Sequence, residues 1–493
     1  RYISRNTLTH PDYPIKIDIS IVKNSKRSGR NYIPEYKMSD SGVLDSTETY
    51  EIEIELDNEK IIKILEFADD PNILLYISKS IKKGIKFVLS GLQETNYPVS
   101  YDEQDNVIQE YMKILWKESY KPGMRVYPKN FVGPSQYTLQ MQNVVPVSDD
   151  VELPNIRKNY TVTEKADGDR KLMIIDKKGK VYLINTNMNV QFTGAKTNQE
   201  SLYNTIMDGE HILHDKTGKF INLYAAFDVY YINKRDVRAL GFVPTAPDEV
   251  QTNFRYPLLV NIIKSLNLKS VINNGLSPIR VKEKSFYADS KSQSIFQACN
   301  TILSMEEKGL FEYETDGLIF TPADKGVGVD SIGKYIKPIK TTWDYSFKWK
   351  PPEFNTIDYL ITIKKDTDGR DLIGNIFQDG TNTSIATQLT QYKTLILRVG
   401  YDEAKHGYMN PCQNLIDATF DSVGNKDSNE GYRPMQFFPT NPSDNDAGVC
   451  NILLETTTSG DKIMKTIENE VIEDNMIVEF RYIMDGKKGW KWQ

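Results

Sequence analysis

Short segments in which hydrophobic and polar residues alternate recur along this chain, and they predict many strands. Residues 15–23 and 49–56 alternate near the beginning, as expected for strands with one buried face. Residues 59–93 and 103–116 instead repeat hydrophobic positions three and four apart, which predicts helices. The first part of the chain is therefore predicted to mix strands and helices.

The middle of the chain, from about residue 120 to 350, is rich in strand-like runs, with helices predicted at 250–266 and 291–307. Pro351-Pro352 ends this stretch, because prolines fix the backbone and lack the N–H donor. We therefore predict three domains, at residues 1–116, 117–350 and 351–493.

Beyond the two prolines, strands are predicted at residues 357–363, 394–399 and 476–482. Short strands joined by long polar loops are typical of a small barrel. The predicted fold class is α+β and multidomain.

The composition excludes some classes of protein. A net charge of −6 over 493 residues argues against a nucleic-acid coat over the whole surface, although a local basic groove is compatible with it. Cys299, Cys412 and Cys450 are widely spaced, and the four histidines are not paired at metal-ligand spacing. This pattern favours a reducing compartment without a disulfide framework or zinc site. We also predict no membrane span, and expect a chain that begins with Arg1 to be a fragment or a processed product.

The segment Glu164–Arg170, with the sequence EKADGDR, lies between strand-like runs at 160–163 and 171–175. A lysine amine that can lose its proton can attack a phosphorus atom. The glycine lets the backbone turn and approach a phosphate, and the guanidinium of Arg170 can hold a sugar or phosphate. Lys165 is therefore the candidate catalytic nucleophile. The alternative is a solvated lysine beside an ordinary hairpin.

Four further polar groups follow, each within or at the end of a strand-like run: DGE at 208–210, AFDVY at 226–230, ETDGLIF at 314–320 and FKWKP at 347–351. In this order the five groups resemble the motif series of the covalent nucleotidyltransferase superfamily, which comprises mRNA capping guanylyltransferases and ATP-dependent polynucleotide ligases. The resemblance implies a nucleotidyltransferase domain followed by an oligonucleotide-binding-fold β-barrel.

Two segments favour the capping branch. TDGLIF at 315–320 is similar to the capping version of the fourth motif, where ligases usually place a glutamate at the acidic position. FVGP at 131–134, followed by Thr138-Leu139, resembles a segment of capping enzymes from large DNA viruses. In those enzymes an RNA triphosphatase commonly precedes the guanylyltransferase, and a cap methyltransferase follows it.

The resemblance implies nucleotide-binding roles for several residues. Arg170 and Glu210 would hold the ribose, and Phe227 would stack on guanine. The alternatives are that Arg170 and Glu210 pair with each other, and that Phe227 is a core residue. Asp228 is either structural or a metal ligand.

The resemblance also assigns Lys284 to the guanine oxygen, where adenine carries an amine. Asp316 would organise a divalent cation, and Lys348 and Lys350 would clamp the α-phosphate. The alternatives are a solvated charged strand around Lys284, the first residue of a β-turn for Asp316, and an edge strand protected by its lysines.

Glu51, Glu53 and Glu55 fall on one face of their predicted strand. Neighbouring carboxylates repel unless positive charge lies among them, and a magnesium or manganese ion would supply it. With Asp18-Ile19-Ser20, they resemble the tunnel-type, metal-dependent RNA triphosphatases. The alternative is a polar face in contact with solvent.

Two departures from these families stand out. The triphosphatases carry a glutamate-bearing strand ahead of the position of Asp18, and none is recognisable here, so we expect a partial tunnel-type β-barrel. The basic sixth motif of the nucleotidyltransferases would begin just beyond Gln493.

Together these features predict an mRNA guanylyltransferase that forms a covalent lysyl-GMP from GTP and transfers GMP to the 5′-diphosphate end of RNA. An RNA 5′-triphosphatase would accompany it, with Mg²⁺ or Mn²⁺ as cofactor. The predicted partners are the 5′ end of nascent mRNA, a cap methyltransferase domain or subunit, and a viral RNA polymerase. The host cytoplasm or the virion is the expected location. The alternatives are an ATP-dependent polynucleotide ligase and a non-catalytic scaffold that binds RNA ends.

Overall fold

The computed structural model shows a mixed α+β architecture that divides into two compact units, Arg1–Lys348 and Trp349–Gln493. It describes the whole chain except residues 29–30, 68–71, 147–152, 247, 290–292, 335–339, 352–353, 378–388, 403–432, 440–442, 445, 458–459, 461 and 484–485. Cys412 lies outside the described residues. Cys299 and Cys450 are free thiols, half-buried and buried respectively.

The first region of the chain contains β1 Tyr2–His10, β2 Tyr13–Lys23, β3 Arg27–Ser28, β4 Asn31–Tyr32, α1 Met38–Ser41, β5 Thr49–Leu56, α2 Asn58–Phe67, α3 Ile73–Leu92 and α4 Tyr101–Trp116. The predicted strands at 15–23 and 49–56 are confirmed as β2 and β5, and the predicted helices as α2 to α4. β1 was missed, because its nine residues are all exposed and lack an alternating apolar pattern.

An antiparallel sheet in the order β1-β2-β5 forms the centre of this region. Helix α3 packs against it at Gly84, where a Cβ atom would lie 2.6 Å from Cδ1 of Ile15. β1 and β5 are the outer strands, so the sheet is open within the described residues and does not form a tunnel.

The rest of the first unit contains β6 Ser135–Thr138, β7 Tyr160–Ala166, β8 Asp169–Ile175, β9 Lys180–Asn185, β10 Val190–Lys196, β11 Thr205–His214, β12 Phe220–Ile232, β13 Arg235–Asp236, α5 Arg255–Ser265, β14 Lys269–Ser270, β15 Arg280–Glu283, β16 Tyr287–Ala288, α6 Ile295–Glu307, β17 Thr315–Pro322 and β18 Thr342–Trp349. One sheet has the order β13-β12-β11-β8-β9-β10-β14, with β15 beside β12. The other has the order β16-β7-β17-β18-β6.

Helices cover both faces of the larger sheet. Successive residues of each strand point to opposite faces, so neighbouring residues pack against different helices. Leu172 belongs to a buried cluster with Tyr111 of α4. Its neighbour Met173 belongs to a second buried cluster with Leu259 of α5. Fully burying each such side chain contributes about 1.5–3 kcal/mol, so β8 is held firmly from both sides.

The chain passes from one sheet to the other between β7 and β8, at Asp167-Gly168. The hairpin alternative for this segment is therefore wrong. A Cβ atom on Gly168 would lie 3.0 Å from the carbonyl oxygen of His211 and 3.0 Å from Cγ of Glu210. Glycine is needed here because the crossing segment runs directly against β11.

The second unit contains β19 Thr356–Ile363, β20 Ile373–Phe377, β21 Leu389–Tyr401, β22 Arg433–Gln436, β23 Val449–Leu453, β24 Glu455–Thr456, β25 Lys462–Lys465, β26 Val471–Ile472 and β27 Ile477–Arg481. The predicted strands are confirmed as β19, part of β21, and β27. The main sheet has the order β20-β21-β19-β27, and it packs on a core that includes Tyr359, Leu395 and Trp492. Over the described strands this sheet is open rather than a closed barrel. Among the helices of the described residues, none has the length and apolar character needed to cross a membrane.

Candidate active site

A cavity of about 220 Å³ lies between the two sheets of the first unit. Strands β6, β7, β17 and β18 line one side of it, and β8, β11 and β12 line the other. Its lining includes five side chains that the sequence singled out: Lys165, Arg170, Glu210, Phe227 and Lys284. Residues far apart in the sequence thus meet around one volume.

Lys165 is held by Asp316. Its Nζ atom donates to both carboxylate oxygens of Asp316, at 2.7 and 2.9 Å, and the two side chains are only 23% and 13% exposed. Lys165 is therefore not a solvated surface lysine. The two groups form one partly enclosed ion pair at the cavity.

Asp316 lies inside strand β17 rather than at a β-turn, so the turn alternative is wrong. The register between β17 and β7 shifts between Thr315 and Leu318, and Gly317 has φ of 141°. Only glycine adopts that backbone conformation readily. The Asp-Gly pair therefore makes a bulge in the strand, a device that redirects a side chain.

Arg170 is fixed by a buried carboxylate that the sequence analysis did not single out. Its Nε and Nη2 atoms donate to the two oxygens of Asp208 at 3.1 and 2.5 Å, and Nη1 donates to the carbonyl of Pro134 at 2.8 Å. Asp208 is completely buried and also accepts from the hydroxyl of Tyr230 at 2.6 Å. Burial would lower the pKa of Arg170, but Asp208 raises it above the ordinary arginine value.

Arg170 thus directs its hydrogen bonds to Asp208, not to Glu210, although Glu210 is its direct partner in the strand register. Asp208 lies two residues before Glu210 on the same face, diagonal to Arg170. The two-residue period of a strand could have identified Asp208 from the sequence, because it places both acids of the DGE group on one face. Gly133 makes room for this pair, because a Cβ atom there would lie 2.6 Å from Nη2 of Arg170.

Phe227 lies beside the guanidinium of Arg170, with the guanidinium carbon 5.6 Å from the ring centre. The ring is half-buried and lines the cavity, so the core alternative does not describe it. Asp228 instead forms a buried ion pair with Arg255, at 2.9 and 3.2 Å. That pair supports the structural alternative for Asp228.

Glu210 is a half-buried carboxyl group with an altered pKa. Burial raises its pKa from 4.5 to about 7, while Lys284 and Arg170 act in the opposite direction. Lys284 is itself buried, and its ammonium group donates to the backbone carbonyl of Glu164. The solvated-strand alternative for Lys284 is therefore wrong.

Lys348 is not among the described residues that line the cavity. Lys348 follows two residues after Ser346, which does line the cavity, while Lys350 belongs to the second unit. Strand β18 lies between β17 and β6, so it is not an edge strand protected by lysines. The phosphate clamp stays a prediction.

In the N-terminal sheet, carboxylate oxygens of Asp18, Glu53 and Glu55 lie within 4.8 Å of one another. Arg5 binds Asp18 at 2.9 Å and Glu53 at 2.7 Å. Glu51 is outside this group and pairs with Arg1. Arginines thus supply the positive charge that we assigned to a metal, although the oxygen donors also suit Mg²⁺ or Mn²⁺.

Comparison with known proteins gives a family match that includes most of the residues lining this cavity. Residues 144–352 match the family described as mRNA capping enzyme, catalytic domain. The chain is 26% identical over 403 residues to the probable mRNA-capping enzyme of Acanthamoeba polyphaga mimivirus, covering 75% of this chain and 30% of that protein. It is 28% identical over 274 residues to the mRNA-capping enzyme of Danio rerio, covering 51% of this chain and 41% of that protein.

The chain therefore spans less than half the length of these curated relatives. Among solved structures, a mycobacterial DNA ligase D complexed with ATP and MES is similar over 73% of this chain and 94% of that chain. The identity is 12% and the TM-score is 0.31, which is too low to support an argument.

We expect Asp208→Ala to destabilise the first unit strongly, because it leaves the charge of Arg170 without its partner. Breaking a buried pair on one side costs about 3–5 kcal/mol. Glu312→Ala is the matched control, since its pair with Arg280 is exposed and such pairs contribute about 0–1 kcal/mol. Urea unfolding of both variants measures the difference. Equal losses would contradict the structural role of Asp208.

The raised pKa of Glu210 makes stability depend on pH. Between pH 4.5 and about 7 the native protein holds a proton that the unfolded chain releases, so the contribution of this group falls as pH rises through that window. We expect Glu210→Gln to be more stable than the wild type above pH 7, by up to about 3 kcal/mol. Below pH 4.5 the two should be similar.

Thermal unfolding at pH 4.5 and pH 8.5 tests this expectation. Glu200→Gln, at an exposed glutamate, is the control and should differ from the wild type equally at both pH values. A Glu210→Gln variant with no change in relative stability between the two pH values would contradict the raised pKa.

Proposed function

Residues 144–352 belong to the family of mRNA capping enzyme catalytic domains, and on that premise we propose that this chain transfers GMP from GTP to the 5′-diphosphate end of RNA. One observation carries the proposal. Lys165 lines a cavity together with Arg170, Glu210 and Phe227, and its ammonium group is ion-paired with Asp316. This set offers a nucleophile, an acid to hold a cation, and groups suited to a ribose and a base.

In the first step the nitrogen of Lys165 attacks the α-phosphorus of GTP. The ammonium must first lose a proton to solvent, because only the neutral amine has the lone pair that attacks phosphorus. An N–P bond then forms, the P–O bond to the β-phosphate breaks, and pyrophosphate leaves. The protein retains a lysyl-GMP phosphoramidate.

The other residues hold the nucleotide in place. Arg170, fixed by Asp208, and Glu210 are assigned to the ribose, and Phe227 to the face of the base. Lys348 and Lys350 are proposed to reach the α-phosphate when substrate is bound. Mg²⁺ or Mn²⁺ bound with the triphosphate supplies positive charge to its oxygens, and Asp316 is the carboxylate assigned to hold it.

In the second step a terminal phosphate oxygen of diphosphate-ended RNA attacks the same phosphorus. The nitrogen of Lys165 takes up a proton from solvent as the N–P bond breaks, GMP passes to the RNA, and the amine of Lys165 is restored. A polynucleotide ligase would use AMP in place of GMP, and a scaffold would form no adduct. The second unit is proposed to act as the oligonucleotide-binding-fold domain. A cap methyltransferase and a viral RNA polymerase are the proposed partners, in the host cytoplasm or the virion.

We expect the protein to form a GMP adduct on Lys165 when incubated with GTP and a divalent cation. Lys165→Met should abolish the adduct, because it removes the attacking nitrogen at similar side-chain length. Mass spectrometry of the Lys165 peptide is the measurement. Lys178→Met, at an exposed lysine after β8, is the matched control and should label normally. An adduct at another lysine, or equal labelling by ATP, would reject the proposal.

The N-terminal sheet supports a second activity, a metal-dependent RNA 5′-triphosphatase. Asp18, Glu53 and Glu55 could hold a divalent cation, with Arg5 beside them to bind the triphosphate. Glu51 is proposed to act from the same strand face. This reaction would remove the γ-phosphate and produce the diphosphate end that the guanylyltransferase needs.

If this activity resides in the sheet, Glu53→Gln should reduce phosphate release from triphosphate-ended RNA by about 10–100-fold, the usual effect of a weakened metal site. Labelling of Lys165 should remain, because the two reactions use separate residues. Glu48→Gln, whose carboxylate pairs with Lys23 at 3.5 Å, serves as the control. Unchanged phosphate release in Glu53→Gln would mean that the glutamates form only a polar face.

A further inference from the structure

Glu164 is a buried acid directly beside the proposed nucleophile, and the proposed chemistry does not use it. It is 3% exposed and precedes Lys165 in β7. Its carboxylate accepts from the hydroxyl of Tyr313 at 2.8 Å and from the hydroxyl of Thr163 at 2.8 Å. A third contact, 3.5 Å long, joins it to Nζ of Lys284. A buried carboxylate with three such partners has a defined orientation.

Lys284 is fixed along its whole length. Its backbone N–H donates to the carbonyl of Ala226 at 2.8 Å, and its carbonyl accepts from the hydroxyl of Tyr256 at 3.0 Å. At the other end, the ammonium donates to the backbone carbonyl of Glu164 and faces the carboxylate of the same residue. The ammonium group is thus held against Glu164, and Lys284 also lines the cavity.

We infer that Glu164, held by Tyr313, is a positioning residue that turns Lys284 into a fixed hydrogen-bond donor for the 6-oxygen of guanine. The inference deepens the proposed guanylyltransferase function and rests on it. A free lysine is a flexible point charge that could accommodate several acceptors. A donor with a fixed direction favours an acceptor at one place on the base.

The arrangement also explains why guanine would be preferred to adenine. With adenine bound, the ammonium of Lys284 would face an amine instead of an acceptor, and a donor left unsatisfied in a buried site is costly. Glu164 prevents relief of this mismatch, because turning the ammonium away would break its contacts with that residue. Burial, followed by the charge of Glu164, raises the pKa of Tyr313, so its hydroxyl keeps the proton that it donates.

The test compares GTP with the triphosphate of 2-aminopurine riboside, which lacks the 6-oxygen and the N1 proton of guanine and keeps its 2-amino group. The measured quantity is the ratio of the two second-order rate constants for covalent labelling of Lys165. We expect the wild type to favour GTP by roughly a thousandfold. Tyr313→Phe should lower the ratio about five- to tenfold, the effect of one lost hydrogen bond, and Glu164→Gln should lower it further.

The matched control is Tyr287→Phe, whose hydroxyl contacts the sulfur of Met305 at 3.6 Å rather than Glu164. It should leave the ratio unchanged. In Tyr313→Phe the maximal labelling rate at saturating GTP should stay within about twofold of the wild type, and the half-saturating GTP concentration should rise. A general loosening of the protein would lower the maximal rate as well as raise the half-saturating concentration.

The outcomes separate the two proposals. If the wild type discriminates but neither Tyr313→Phe nor Glu164→Gln changes the ratio, the role of Glu164 is overturned and the guanylyltransferase proposal stands. An equal fall of the ratio in Tyr287→Phe also overturns it. If Glu164→Gln does not fold, Tyr313→Phe decides alone. If no nucleotide labels the wild type, both proposals fail together.

Discussion

The crossing of the chain between two sheets at Asp167-Gly168 is the constraint on which the candidate active site depends. Lys165 lies near the end of β7 in one sheet and Arg170 near the start of β8 in the other, so two residues five positions apart in the sequence line opposite sides of the cavity. The crossing lies so close to β11 that a Cβ atom on Gly168 would contact its backbone. A wider crossing would move the two sheets, and the side chains they carry, apart.

The cationic side chains around the cavity are each paired with a carboxylate. Lys165 is paired with Asp316, and Arg170 with Asp208. In both pairs the carboxylate belongs to a different strand from the cation, and Lys284 is paired in the same way with Glu164. Burying an unpaired charge would be costly. These pairs therefore allow positive groups to be gathered for an anionic nucleotide without that cost.

In the N-terminal sheet the charges are balanced in a different way. Its acids lie side by side on one face, and Arg5 crosses from β1 to contact both Asp18 and Glu53. Neighbouring carboxylates need positive charge among them. In this structure arginine side chains provide that charge. Their presence is compatible with either a catalytic surface or a simple polar face.

The sequence by itself determined the strands and helices whose apolar period was strong and whose apolar face is buried, such as α4 and β19, because a buried face imposes its own spacing. It missed β1, whose residues are all exposed and so carry no such period. It also placed the candidate residues in order along the chain, since each motif is local. Lys165, Arg170, Glu210, Phe227 and Lys284 are among those that meet at the cavity.

Only the tertiary structure decided which charges pair. Arg170 pairs with Asp208 rather than with Glu210 through a diagonal contact between strands. The contact of Lys284 with Glu164 joins residues 120 positions apart. Likewise, only the fold revealed that Asp167-Gly168 connects two sheets rather than closing a hairpin. Pairing and crossing are fixed by distances between segments, and a single sequence records the order of residues but not those distances.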